Sequence, residues 1–163
     1  MRPVAQALCA QGVVPTLIFT GQHQLRPGEF GLAGFPRLSL TCPGQHDPHA
    51  HVEAVTRALL PLLQDTPDVL IVQGDTSSAL GGALAGFAAG VPVGHVEAGL
   101  RTHDPLLPWP EEEYRTAIDA DADLLFAPTQ LAAANLAAEK VPGEVFVTGN
   151  TSIDAVLEAE SRL

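Results

Sequence analysis

The chain has 163 residues, a length that suits one domain or one half of a two-domain protein. Eight Lys and Arg against 19 Asp and Glu give a formal net charge of −11, which argues against nucleic acid and anionic membrane as partners, since both need a basic face. Apolar residues make up 46% of the chain and no run reaches the ~18 needed for a membrane span, so a soluble cytoplasmic protein is expected, with Cys9 and Cys42 as reduced buried thiols.

The elements alternate between helix and strand. Residues 3–11 carry an apolar face at helical spacing and stop at Gly12. Val13 to Phe19 reads as a buried strand, weakened near its start by Pro15. Residues 24–36 hold two prolines and three glycines and read as an irregular loop, and Arg37 to Thr41 as a second strand. Asp47-Pro48 opens a helix, with Asp47 as cap. Its histidines 46, 49 and 51 do not follow a zinc spacing and read as solvated groups at the helix start.

Asp68 to Val72 is the next strand. Thr76 or Ser77 caps a helix to Ala89, whose Ala and Gly content suits close packing on a sheet. Val91 to Val96 is a strand, Pro110 to Ala120 a helix, Leu124 to Ala127 a strand, Thr129 to Lys140 a helix and Glu144 to Thr148 a strand. Thr151 caps a last helix. This alternation predicts an α/β fold, a Rossmann-like parallel sheet with helices on both faces. The chain starts with a helix, whereas the first strand of such folds is central, so a hole is expected between the Val13–Phe19 and Asp68–Val72 strands.

Ligands of parallel sheets bind outside the carboxyl ends of the strands. Four predicted strands end in polar or glycine-rich tips: Thr20-Gly-Gln-His23, Gly74-Asp-Thr76, His95-Val-Glu97 and Thr148-Gly-Asn150. Asp75 precedes a helix start and serves either as an N-terminal carboxylate or as a ligand group. Glu97 leaves an apolar strand, where a carboxylate is costly unless paired; Arg101 is a plausible partner, and proton transfer is the sharper role. Glu111 and Arg115 lie four apart on one helical face, placed to pair with each other. Of Glu111, Glu112 and Glu113, at least one is a solvated helix-start charge. No glycine-rich phosphate loop and no Gly-Xaa-Ser-Xaa-Gly is present, so serine hydrolysis has no support.

Those tips, together with Val93-Gly-His-Val-Glu-Ala-Gly-Leu-Arg-Thr102, Pro108-Trp-Pro-Glu-Glu112, Phe126-Ala-Pro-Thr129 and Ile153-Asp-Ala155, resemble the non-hydrolysing UDP-N-acetylglucosamine 2-epimerases. The match runs in order from about residue 1 to 155. The resemblance implies interconversion of UDP-N-acetylglucosamine and UDP-N-acetylmannosamine, by eliminating UDP to 2-acetamidoglucal and adding it back, in the supply of cell-surface polysaccharide. It implies no cofactor and no metal. It also implies a two-domain fold of the glycosyltransferase B type, and a homodimer.

By position, Asp75, Glu97, Glu111 and Arg115 would be catalytic, and Gln22, His23 and His95 would bind substrate. Tyr114 stands where the family usually has asparagine. The family's opening strand and second domain have no counterpart here. Residues 1–155 are therefore expected to be an amino-terminal domain, inactive alone, with 156–163 leading toward a second. The alternatives are half of a sugar-nucleotide glycosyltransferase, or a non-enzymatic partner-binding remnant.

Overall fold

A computed structural model describes residues 1–24, 26–64 and 67–160. Its elements follow the expected order, with trimmed ends. Helix α1 is Arg2–Ala10, β1 is Leu17–Phe19 and β2 is Arg37–Ser39. Helix α2 is Pro48–Leu59, β3 is Leu70–Gln73 and α3 is Ser77–Ala89. Then come β4, Val93–Val96; α4, Glu111–Asp121; β5, Leu124–Ala127; α5, Gln130–Glu139; β6, Glu144–Val147; and α6, Thr151–Glu160. Residue 25, within the expected loop, and residues 161–163, within the expected last helix, lie outside the described residues.

Local chemistry explains most boundaries. Asp47 accepts from the His49 amide at 2.9 Å, and Thr76 and Thr129 accept from Ala79 and Ala132 at 3.2 and 3.1 Å. The last helix departs from expectation: Asn150, not Thr151, is its cap, accepting from the Ser152 amide at 2.8 Å. The first strand is also shorter than expected. Val13 and Val14 precede Pro15 and stay exposed, so only Leu17–Phe19 pairs.

All strand pairings are parallel. They form two sheets, β1-β2 and β3-β4-β5-β6. The break falls between β1 and β3, where the sequence placed the hole. Helices bridge it: Leu59, Leu63, Leu70, Ala85 and Val91 form one buried cluster, with Ile18, Leu38 and Leu40 of the smaller sheet packed against it. The larger cluster joins Val72, Ala83, Val93, Ile118, Leu125 and Leu136 under the main sheet.

Helix α3 packs on α2 and α4, while α1 and α6 pack on each other. The glycines of α3 permit its close approach. A Cβ at Gly81 would lie 2.8 Å from the Val52 carbonyl oxygen, and one at Gly86 would lie 2.6 Å from Val93 Cγ2. Strand β4 is buried along its whole length, as a central parallel strand requires.

Candidate active site at the strand rim

The carboxyl ends of the strands converge. After β1, Thr20 Oγ1 lies 2.8 Å from Ser78 Oγ, which follows β3. At the end of β3, Gln73 Nε2 donates to Glu97 Oε1 beyond β4 and to Thr151 Oγ1 beyond β6, each at 3.1 Å. The four polar tips therefore share one rim. Gln73, part of the Val72-Gln-Gly-Asp-Thr76 block but given no role from the sequence, links three of its segments.

Asp75 follows Gly74 in the turn into α3, and its Oδ2 accepts from the Arg115 guanidinium of α4. Arg115 also pairs with Glu112 at 3.2 Å. The expected Glu111–Arg115 pair does not form, because Arg115 reaches across to the neighbouring tip and Glu112 sits three residues before it. Glu111 Oε2 is instead buried without a hydrogen-bond partner among the described residues, as are Arg115 Nε and the Tyr114 hydroxyl.

Glu97 adopts a left-handed φ of 72°, and its Oε2 lies 3.5 Å from where a Gly74 Cβ would stand. This places its carboxylate over the turn that carries Asp75. The Met1 ammonium donates to Gln73 Oε1 beside them. Burial holds that amine below its ordinary value, against the opposing pull of Glu97.

Arg101 does not pair with Glu97. It turns inward to Asp119 at 2.8 Å and to Glu139 at 2.6 Å. Burial opposes its charge, but the hydrogen bonds to Glu139 and the charge and hydrogen bond of Asp119 outweigh it, so the guanidinium is held protonated beyond its ordinary range.

The other expected residues divide. His23 is exposed at the rim. Gln22 is engaged within the protein, donating to Ser77 Oγ at 3.2 Å and accepting from Ser78 at 2.6 Å. His95 is fully buried, with Nδ1 2.6 Å from Asp119 Oδ1 and Nε2 2.9 Å from the Gly74 carbonyl oxygen. Both ring nitrogens are thus taken by the protein, and His95 lies behind the rim.

His51 is not solvated as expected. It is 1% exposed and ties Ser77 Oγ (2.7 Å) to the Cys42 carbonyl (3.0 Å). Cys42 is buried and Cys9 exposed, so the thiol expectation holds only for Cys42.

Of the acidic run, Glu113 is exposed and Glu112 is the structural member. Burial pushes the Glu112 carboxyl up, but amide donation from Thr102 and His103 outweighs it and holds the group below the usual carboxylate range. Those bonds fasten the 102–110 loop, with its cis Leu107–Pro108 and Trp109–Pro110 bonds, to the start of α4.

Residues 6–163 match the UDP-N-acetylglucosamine 2-epimerase family model. A probable UDP-N-acetylglucosamine 2-epimerase of Ralstonia solanacearum is 44% identical over 100% of this chain and 45% of its own length. The Salmonella typhimurium enzyme is 48% identical over 67% of this chain and 30% of its own. The Neisseria meningitidis UDP-GlcNAc 2-epimerase, solved bound to UDP-GlcNAc, superposes with a TM-score of 0.89 at 31% identity, covering 100% of this chain and 46% of that one. The Methanocaldococcus jannaschii enzyme in complex with UDP-GlcNAc and UDP gives 0.87 at 34% identity, covering 96% of this chain and 44% of that one.

The chain spans less than half the length of these relatives, and its fold is one half of their glycosyltransferase-B-like architecture. On the extent of the sequence match and the likeness of the fold, the chain belongs to the UDP-N-acetylglucosamine 2-epimerase family.

Proposed function

We propose that this rim is the carboxylate-bearing wall of a site that inverts C2 of UDP-N-acetylglucosamine. The observation that carries the reading is the meeting of Asp75, Arg115 and Glu97 from three separate segments, with Glu111 one helical turn before Arg115.

In the forward elimination a carboxylate takes the C2 proton. The C1–O bond to the diphosphate breaks with its electrons on UDP, and C1=C2 forms to give 2-acetamidoglucal. UDP oxygen then re-adds at C1, and a proton returns to C2 from the opposite face. Glu111 suits a proton-carrying role because its Oε2 has no hydrogen-bond partner among the described residues. Glu97 is held at the rim by Gln73, and Arg115 fixes the Asp75 carboxylate while adding positive charge beside the departing diphosphate. His23 faces the ligand from the first tip, whereas Gln22 and His95 hold tips in place.

Residues 1–155 are assigned to this lobe and 156–163 to its connection with a second domain. A second domain supplies the opposite wall and most cations for the diphosphate, in keeping with a local charge of −11. The intact protein is proposed to be a cytoplasmic homodimer.

The test is incubation with UDP-N-acetylglucosamine in D2O, following deuterium at C2 by mass spectrometry. The isolated chain should give no exchange, and mixing it with the second domain of a relative should produce exchange that Asp75→Asn or Glu97→Gln abolishes. Exchange by the chain alone would refute the need for a second domain. A new glycoside with no deuterium at C2 would replace the epimerase reading with glycosyl transfer.

A further inference from the structure

Asp119 has no place in the chemistry above and was not singled out from the sequence. It is fully buried on α4, and both of its oxygens are engaged. Oδ1 meets His95 Nδ1 at 2.6 Å. Through His95 Nε2, at 2.9 Å from the Gly74 carbonyl, this arm reaches the turn that carries Asp75. Oδ2 accepts from the Gly99 amide at 3.0 Å, in the turn that follows Glu97, and from Arg101 at 2.8 Å. Helix α4 itself carries Glu111 and Arg115, eight and four residues earlier and on the same face. One buried carboxylate on α4 is therefore bonded toward the turns that carry Asp75 and Glu97, from the helix that carries Glu111 and Arg115.

The hydrogen-bond chemistry fixes the protons. A carbonyl oxygen only accepts, so His95 Nε2 carries hydrogen. A bare Nδ1 facing a bare carboxylate at 2.6 Å would set two lone pairs against each other, so a proton lies between them as well. Arg101 is shared between Asp119 and Glu139.

We infer that Asp119 and His95 are positioning residues that set Asp75 and Glu97 in register with Glu111 and Arg115. Their catalytic meaning rests on the proposed epimerase site, but their geometry does not. The two arms are separable: His95 governs the Asp75 turn, and Asp119 Oδ2 governs the Glu97 turn.

The experiment is nuclear magnetic resonance on the isotopically labelled chain with no ligand. In the wild type, long-range proton–nitrogen correlations should show hydrogen on His95 Nε2. His95→Leu should shift the Asp75 amide and leave Gly99 exchange as in the wild type. His95→Gln, whose side-chain amide can still donate to the Gly74 carbonyl, should move Asp75 less. Asp119→Ala should speed Gly99 amide exchange about tenfold or more, as expected for losing a hydrogen bond to a charged acceptor. Asp119→Asn keeps an acceptor for Gly99 and should restore its protection; should Asp119→Ala not fold, the other three variants decide. A purely structural role would lower the melting temperature and move all amides together.

A His95 ring with no hydrogen on Nε2, or an unmoved Asp75 amide in folded His95→Leu, would overturn the inference. No turnover enters this readout, so its failure is distinct from failure of the C2 exchange test. In the two-domain mixture, His95→Leu should lower the saturating C2 exchange rate about 100-fold, with little change in KM, and an unchanged rate would also count against it.

Discussion

Gly99 and Gly90 provide a matched pair of perturbations. Both have left-handed backbones, with φ of 80° and 69°. Gly90 ends α3, and nothing lies within 4 Å of where its Cβ would stand. Gly99 follows the Glu97 turn, and its Cβ would stand 2.3 Å from the Ala132 carbonyl oxygen and 2.9 Å from Leu136 Cγ. Ala132 and Leu136 are 2% and 0% exposed in α5, so neither can move aside into solvent. Gly90→Ala therefore carries only the left-handed term, about 1–2 kcal/mol.

Gly99→Ala carries the same term, plus about 1–3 kcal/mol for forcing α5 away, plus weakening of the Gly99–Asp119 bond. The total is about 3–6 kcal/mol by addition of these terms. At about 2–4 °C per kcal/mol for a chain of this size, the melting temperature should fall a few degrees for Gly90→Ala and about 10 °C or more for Gly99→Ala. Thermal melts by circular dichroism measure both. Equal falls would refute the close packing of the Glu97 turn on α5 and, with it, the rigid mounting of Glu97.

Tyr114 is the only tyrosine, so absorbance at 295 nm reports it alone. Burial first, then the Glu113, Asp47 and Glu111 charges, raise its hydroxyl to about 12, and an alkaline titration should find the midpoint there rather than near the unfolded value of about 10. A folded value raised above the unfolded one means this contribution is complete below pH ~10 and is lost as pH rises toward 12; a midpoint near 10 in the folded chain would contradict the burial. Glu112→Gln should cost about 1–2 kcal/mol at neutral pH by removing charge-assisted amide bonds. Because the folded Glu112 value is depressed, that contribution is present above the unfolded value of about 4.3 and is lost as pH falls below it, so denaturation curves of wild type and variant should converge in acid; a gap independent of pH would refute the assignment.

The sequence carried the element order and the parallel sheet, because helix caps, β-branched runs and glycine stops are local signals, and it carried the division between β1 and β3 through the usual strand order of such folds. It carried the rim for the same reason, since residues after a parallel strand share one edge whatever their partners. It did not carry partner choice. Arg101 was set against Glu97 and Arg115 against Glu111 by proximity along the chain, but each guanidinium pairs with a carboxylate on another segment, Asp119 and Asp75. His51 looked solvated from its helix-start position, and only the packing of α2 on α3 buries it against Ser77. Asp119 did leave a trace: it continues the four-residue spacing of Glu111 and Arg115 into the apolar part of α4, where an uncompensated carboxylate would be costly.

Helix α4 sorts its polar groups by whether their bonding capacity is met. Asp119 and Glu112 have both oxygens engaged inside the protein and lie against backbone amides of neighbouring turns. Glu111 Oε2, the Tyr114 hydroxyl and Arg115 Nε are equally shielded but lack partners among the described residues, and all three fall within the first turn and a half of the helix. Buried polar atoms without partners are rare because each forfeits its hydration. A merely structural helix start would be expected to satisfy them, as Glu112 is satisfied. Their clustering in the first turns of α4 makes unmet bonding capacity, more than charge, the feature that separates these three groups from Asp119 and Glu112 on the same helix.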